Sequence, residues 1–269
     1  EYEPEAGSGD IAYVYRGDTP AANSFDALLT SRGYNVTLIP LSSVLTTDFT
    51  EFDLILIADD SGLMSNWGTA AGQVAHIAGS DVPIIGLGEG GYAFFGELSL
   101  FIGWPNGWHG PNWLVDRAPT APTSIYNWPS PIPPDPVKVY AEPVNEVGIY
   151  LGGTDTLPVG ARPIGLEPNA HDHASVIAEE CRQLWGFSGH AGEMTPTGQD
   201  LFVNDVEYML DVRCPLKEPP PEQCIEVSKQ ADPPSGTPVA PGDTINYTLV
   251  YTMSDHPECE SVRGQLRDA

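Results

Sequence analysis

Several groups in this chain carry side chains able to do chemistry. Glu89 stands inside Gly86-Leu87-Gly88-Glu89-Gly90-Gly91, directly after the apolar run Val82–Gly86. A carboxylate where a strand ends and a helix starts can act as a general acid or base, held by the helix N-terminus. It can equally be a first-turn helix charge on a tight turn. A catalytic version needs a partner: His190, which closes Leu184-Trp185-Gly186-Phe187-Ser188-Gly189-His190, or Asp59 or Asp60 in Asp59-Asp60-Ser61. All of these fall at carboxyl ends of predicted strands, where open α/β sheets place their sites. Ser188 and His190, two residues apart on an extended chain, are not placed to face one another.

Metal-ligating types are sparse. His171-Asp172-His173 would set two imidazoles on one side of a strand, or form a solvated loop after Pro168-Asn169. Calcium is the cation an acidic extracellular surface would take, and Asp59 with Asp60 is the candidate site, although no EF-hand loop is present. No other cofactor is expected. Trp104, Trp108, Trp113 and Trp128 crowd one Pro-rich stretch. Exposed indoles there would stack on pyranose rings or meet a neighbouring subunit, and packed together they would form a small local core. Asn35-Val36-Thr37 and Asn246-Tyr247-Thr248 are glycosylation sequons at Asn35 and Asn246, each in a segment where Thr is also a good strand residue.

Charge excludes some partners. With 37 acidic against 11 basic residues the net charge is −26, a field that repels nucleic acids and anionic membrane surfaces. No apolar run approaches the roughly 18 residues of a membrane span, so no membrane insertion by this segment is expected. Acidic chains poor in Lys are common outside cells and in high salt. Four cysteines without CxxC spacing argue for two disulfides in an oxidising compartment rather than for zinc. The expected pairs are Cys181–Cys214 and Cys224–Cys259, one on each side of a domain boundary. Glu1 in place of Met is what removal of a signal peptide, or trimming, would leave.

The elements that must position these residues alternate. Ile11–Tyr15, Val36–Ile39, Leu54–Ala58 and Val82–Gly86 read as strands, the third nearly all apolar as a strand buried on both faces should be. Between them Phe25, Leu28 and Leu29 mark a helix closed by Gly33, and Trp67, Ala71, Val74 and Ile77 or Ala78 mark a second closed by Gly79. Strands separated by helices imply right-handed βαβ units and a parallel sheet with helices on both faces. Residues 104–136 lack periodicity and read as a long insertion or lid. Short strands follow at Val137–Tyr140, Val147–Leu151, Pro163–Leu166, Ala174–Glu179 and Leu184–Phe187. A last helix is expected from Thr197, where Thr197-Gly198-Gln199-Asp200 matches a capping box. The α/β domain thus occupies 1–213 and a Pro-rich linker 214–223. In 224–269, Ile245, Tyr247, Leu249 and Tyr251 alternate with polar residues, as in an antiparallel sandwich strand. Those 46 residues are too few for a seven-stranded sandwich, so either the chain is a fragment or a neighbour supplies the missing strands.

Two resemblances follow. Pro83-Ile84-Ile85-Gly86-Leu87-Gly88-Glu89-Gly90-Gly91 resembles the nucleophile elbow of class I glutamine amidotransferase-like (flavodoxin-like) domains. The resemblance implies a catalytic Cys at the position of Gly88, which has no side chain, and a His after a late strand, a place His190 takes. A catalytically empty relative is therefore expected. Val227-Ser228-Lys229-Gln230-Ala231-Asp232-Pro233 with Pro241-Gly242-Asp243-Thr244-Ile245 is similar to the opening of a β-sandwich repeat of bacterial and archaeal surface proteins. That likeness implies an extracellular, cell-surface location. The expected function is a non-catalytic structural module of a surface layer, filament or adhesin, whose partners are further copies, other surface proteins or glycans. The competing expectations are an extracellular hydrolase using Glu89 and His190, and a glycan- or calcium-binding module.

Overall fold

A computed structural model of the chain describes residues 7–152, 157–212 and 214, and the backbone of 225–232 and 246–253. The chain divides into two compact units, Glu1–Pro215 and Leu216–Ala269.

The first unit is built on β1 (Asp10–Tyr15), β2 (Asn35–Pro40), β3 (Leu54–Ile57), β6 (Ile84–Leu87) and β13 (Arg182–Trp185), with two-residue β4 (Gly62–Leu63) and β5 (Asn66–Trp67) forming a small hairpin after β3. The five longer strands run parallel in the order β2-β1-β3-β6-β13. That is the order of a flavodoxin-like sheet, and it reverses direction of growth between β1 and β3. Beyond β13 the sheet continues antiparallel through β12 (Ala170–Glu179), β11 (Ala161–Glu167), β8 (Leu114–Arg117) and β9 (Val137–Lys138). A branch, β10 (Val144–Tyr150), pairs with β12 and with β7 (Gly107–Asn112).

Helices cover both faces. α1 (Thr19–Ser31) and α4 (Pro196–Asp211) pack Phe25, Leu29, Phe202 and Met209 on a core that includes Ile11, Tyr13, Leu54 and Trp185. α2 (Gln73–Ala78) and α3 (Gly88–Glu97) close the opposite core, where Ala12, Val14, Ile55 and Ile57 meet Ile77, Tyr92 and Phe94. Alternate residues of β1 and β3 thus feed different cores, which is why those strands are apolar on both sides. The helix α1 begins at Asp18, whose carboxylate accepts the Ala21 N–H at 3.0 Å, and ends before Gly33 at φ 102°. Cys181, at the start of β13, is disulfide-bonded to Cys214 beyond α4.

Three expectations change. The residues 104–136 are not only an insertion: β7 and β8 lie within them as full members of the sheet, because their backbone finds partners in β10 and β11 that no local periodicity announces. The second helix is confined to Gln73–Ala78, since Gly68 and Gly72 have φ of 80° and 86° and Trp67 belongs to a strand. The last helix starts at Pro196, with the Thr195 hydroxyl accepting the Gly198 N–H at 2.9 Å, rather than at Thr197. In the second unit β14 (Ile225–Asp232) pairs antiparallel with β15 (Asn246–Met253), from Ile225↔Met253 to Asp232↔Asn246. This antiparallel pair is what the described residues of 224–269 show. Cys224 and Cys259, and most of the linker, lie outside the described residues.

Candidate functional site

The loops after β1, β3, β6 and β13 meet at the carboxyl edge of the parallel sheet, around the point where strand order reverses. They enclose a cavity of about 20 Å³ lined by Tyr13, Asp18, Asp59, Asp60, Ser188 and His190 among others. That is room for about one water molecule.

At the elbow β6 turns into α3 through Gly88, held at φ 47°. A Cβ on Gly88 would stand 2.2 Å from Asp59 Oδ1 and 2.5 Å from Ser188 Oγ. Asp59 and Ser188 therefore fill the volume a nucleophile side chain would need. Asp59 Oδ1 accepts the Glu89 N–H at 2.7 Å, so the carboxylate caps the first turn of α3 from a neighbouring loop. Burial raises the Asp59 pKa above the ordinary carboxylate value, with the charges of Glu89 and Asp60 adding to it. The Ser188 hydroxyl and the Glu89 N–H act in the opposite direction, although Ser188 Oγ does not reach full hydrogen-bond geometry with any described residue. The close fit continues at Gly90, where a Cβ would meet Ala58 O at 2.0 Å, which explains why this turn is written in glycine.

Asp60 is committed differently. Its carboxylate accepts the N–H groups of Arg16 (3.1 Å), Gly17 (2.7 Å) and Asp18 (2.6 Å), fixing the loop that leads into α1. Among the described residues no group of three His, Cys, Asp or Glu side chains is placed to hold a metal ion. Asp59 Oδ1 and both Asp60 carboxylate oxygens accept backbone N–H groups. His171 pairs with Asp116 at 2.9 Å and His173 with Asp172 at 3.1 Å, so the two imidazoles have separate carboxylate partners.

The expected pairing of Glu89 with His190 is not formed. His190 Nε2 lies 3.3 Å from Asp18 Oδ2. Glu89 directs its carboxylate away from the cavity: Oε1 accepts the Met64 N–H at 2.6 Å, and Oε2 meets His109 Nε2 at 2.5 Å. The His109 ring also packs edge-on against Tyr92, with centroids 5.7 Å apart. The α3 helix turns Glu89 toward β7 because Asp59 already occupies the other side of the elbow. His109 was missed at sequence level, since it sits in a stretch without periodicity. Its place opposite Val147 in the β7–β10 ladder is a non-local fact.

The tryptophans separate into two kinds. Trp104 is half-buried edge-on against Tyr92, Trp113 packs on the core, and Trp128 is half-buried. Trp108 is 65% exposed. Asn35 is exposed at the start of β2, where its amide donates to Asp10 Oδ1 at 3.0 Å. Asn246 begins β15.

No protein-family model matches the chain, and no curated protein matches its sequence. Among solved structures, a ThuA-like protein from Bacteroides uniformis is similar at a TM-score of 0.53 and 12% identity, over 78% of this chain and 94% of that one. PurLQS from Thermotoga maritima gives a TM-score of 0.48 at 12% identity, over 74% and 98% of the two chains. A GMP synthase component from Thermoplasma acidophilum gives 0.45 at 11%, over 75% and 94%. At such identities the first likeness shows a shared fold alone, and a fold does not carry an activity with it.

Proposed function

We propose that this chain is a non-catalytic structural module of an extracellular cell-surface protein, in a surface layer, filament or adhesin. The observation that carries the reading is the closed elbow: the Cβ position of Gly88 is filled by the Asp59 carboxylate and the Ser188 hydroxyl. An α/β domain whose nucleophile position is both empty of chemistry and sealed by structural contacts keeps the value of a scaffold. Supporting features are the net charge of −26, the Cys181–Cys214 disulfide, and the antiparallel β14–β15 pair, whose sequence is similar to a surface-protein sandwich repeat. A sandwich of this kind presents edge strands, and strand donation by the next copy would turn such an edge into a joint. Calcium at those joints is part of the proposal.

Light scattering of the purified chain in millimolar calcium and then in chelator tests it. Ordered assemblies that vanish when residues 224–269 are deleted are expected. Assemblies that survive the deletion, or a strict monomer in both conditions, would overturn the polymer reading. One contact favours a second reading, an extracellular hydrolase: Glu89 Oε2 lies 2.5 Å from His109 Nε2. In that reading His109 replaces His190 as the base oriented by Glu89. Loss of turnover on any responsive ester, amide or glycoside in Glu89→Gln would support it, and unchanged turnover would remove it.

A further inference from the structure

The antiparallel end of the sheet carries a second cluster, on the face of β7 and β10 that points away from Tyr92. The ladder sets Trp108 opposite Gly148 and Gly110 opposite Glu146, so these four positions share one face. Both glycines leave room there. A Cβ on Gly110 would come 3.5 Å from Trp108 Nε1, so the indole lies out over Gly110. A Cβ on Gly148 would come 2.0 Å from Glu167 Oε1 and 3.5 Å from His173 Cβ, so the Glu167 carboxyl occupies the space above Gly148. The His173 ring in turn packs against Tyr150, with centroids 5.3 Å apart. Trp108 and Tyr150 are 65% and 45% exposed. They are diagonal neighbours on one face of the ladder, positions about 7–8 Å apart, with the Glu167 carboxyl above Gly148 on the same face.

Several polar groups of this face have no partner among the described residues. Among the described residues, neither the Trp108 indole N–H nor the Glu167 carboxylate has a hydrogen-bond partner, and His173 supports Glu167 only through charge. Beneath them Glu146 is 2% exposed, and its Oε1 has no partner either. Buried or half-buried acceptors left unpaired mark a place where another molecule completes the bonding. The missing partner must supply hydroxyl donors and an apolar ring face. It must not be an anion, because Glu167 and Asp172 would repel one. A carbohydrate ring has that combination.

We propose that this face is a subsite for one uncharged pyranose of a glycan. The C–H face of the ring lies on the Trp108 indole, and vicinal hydroxyls donate to the Glu167 carboxylate. The indole N–H is left for an oxygen of the adjoining sugar, and Tyr150 with His173 closes the far side. Recognition here does not involve the elbow, and it stands whether or not the chain assembles.

Titration calorimetry on the full chain tests the proposal, with neutral hexaoses (cello-, manno- and laminari-) as probes and oligogalacturonate as the anionic counterpart. Saturable binding of at least one neutral hexaose is expected, with tryptophan emission shifting as the ring docks. Trp108→Ala should weaken that binding about tenfold or more, the usual loss on truncating a central aromatic contact, and Glu167→Gln should weaken it several-fold. Trp104→Phe, at a half-buried ring on the other side of the ladder, should bind as the parent does. No saturable binding of any neutral hexaose up to about 10 mM would overturn the proposal, a concentration beyond ordinary weak affinities. So would undiminished binding by Trp108→Ala, or a preference for oligogalacturonate. None of these readouts depends on oligomeric state, so failure here leaves the structural reading intact, and the converse also holds.

Discussion

Replacing Gly88 by Ala puts the closed elbow to a quantitative test. The backbone at 88 has φ 47°, and a side chain in that conformation costs about 1–2 kcal/mol. The added methyl would stand 2.2 Å from Asp59 Oδ1, 2.5 Å from Ser188 Oγ and 3.0 Å from Asp59 Cγ, so the Asp59 carboxylate has to move. Moving it breaks the 2.7 Å bond from the Glu89 N–H at the start of α3, and an orphaned buried donor costs about 1–3 kcal/mol. Against this, Ala restricts the unfolded chain and returns about 0.4–1 kcal/mol. The net expectation is a loss of about 2–4 kcal/mol, read as a shift of the urea midpoint at constant slope. Two further variants dissect the number. Gly192→Ala, where a Cβ meets nothing within 4 Å, should be near neutral. In an Asp59→Ala background the Asp59 share of the clash should disappear, leaving the backbone cost of Gly88→Ala and the close approach to Ser188 Oγ. A Gly88→Ala protein within about 0.5 kcal/mol of the parent would refute the sealed elbow, since a side chain would then fit where a nucleophile belongs.

Three other outcomes are expected. Burial, and then the neighbouring charge of Glu167, push the Glu146 carboxyl up to about 7 from 4.5, against Ser175 and Asn112, which favour ionisation. The folded protein therefore keeps a proton that the unfolded chain releases, so this contribution to stability is full below about pH 4.5 and fades as pH rises through about 7. It amounts to about 3 kcal/mol, which Glu146→Gln should erase from the urea-midpoint profile, whereas parallel profiles would show that Glu146 ionises freely. Opening the Cys181–Cys214 bridge with Cys181→Ser/Cys214→Ser frees a loop spanned by a sequence separation of 33 and should cost about 3–4 kcal/mol, measured by denaturation with and without reductant. Thr195→Ala removes the hydroxyl that caps α4 and should cost about 1 kcal/mol, with the same assay showing no change if Pro196 alone starts the helix.

What was legible in the sequence was whatever depends on neighbours along the chain. The apolar runs Leu54–Ile57 and Ile84–Leu87 could only be strands covered on both faces, and Gly33 could only end α1, so the parallel half of the sheet and the helices on it follow from local pattern. The glycine-rich turn at 86–91 likewise announced its elbow, and the absence of a side chain at Gly88 was visible in a single letter. Tertiary structure alone decided the partners. Glu89 meets His109 instead of His190 because Asp59 takes one side of the elbow and β7 arrives on the other through its ladder with β10. β7 and β8 emerged from a Pro- and Trp-rich stretch for the same reason: backbone groups there are satisfied by strands distant in sequence, not by a periodicity of their own. The exposed Trp108 became distinct from Trp104, Trp113 and Trp128 only once register assigned it a face over two glycines. Side-chain direction on a strand is set by pairing register, and register is a property of two segments at once, so no reading of one segment contains it.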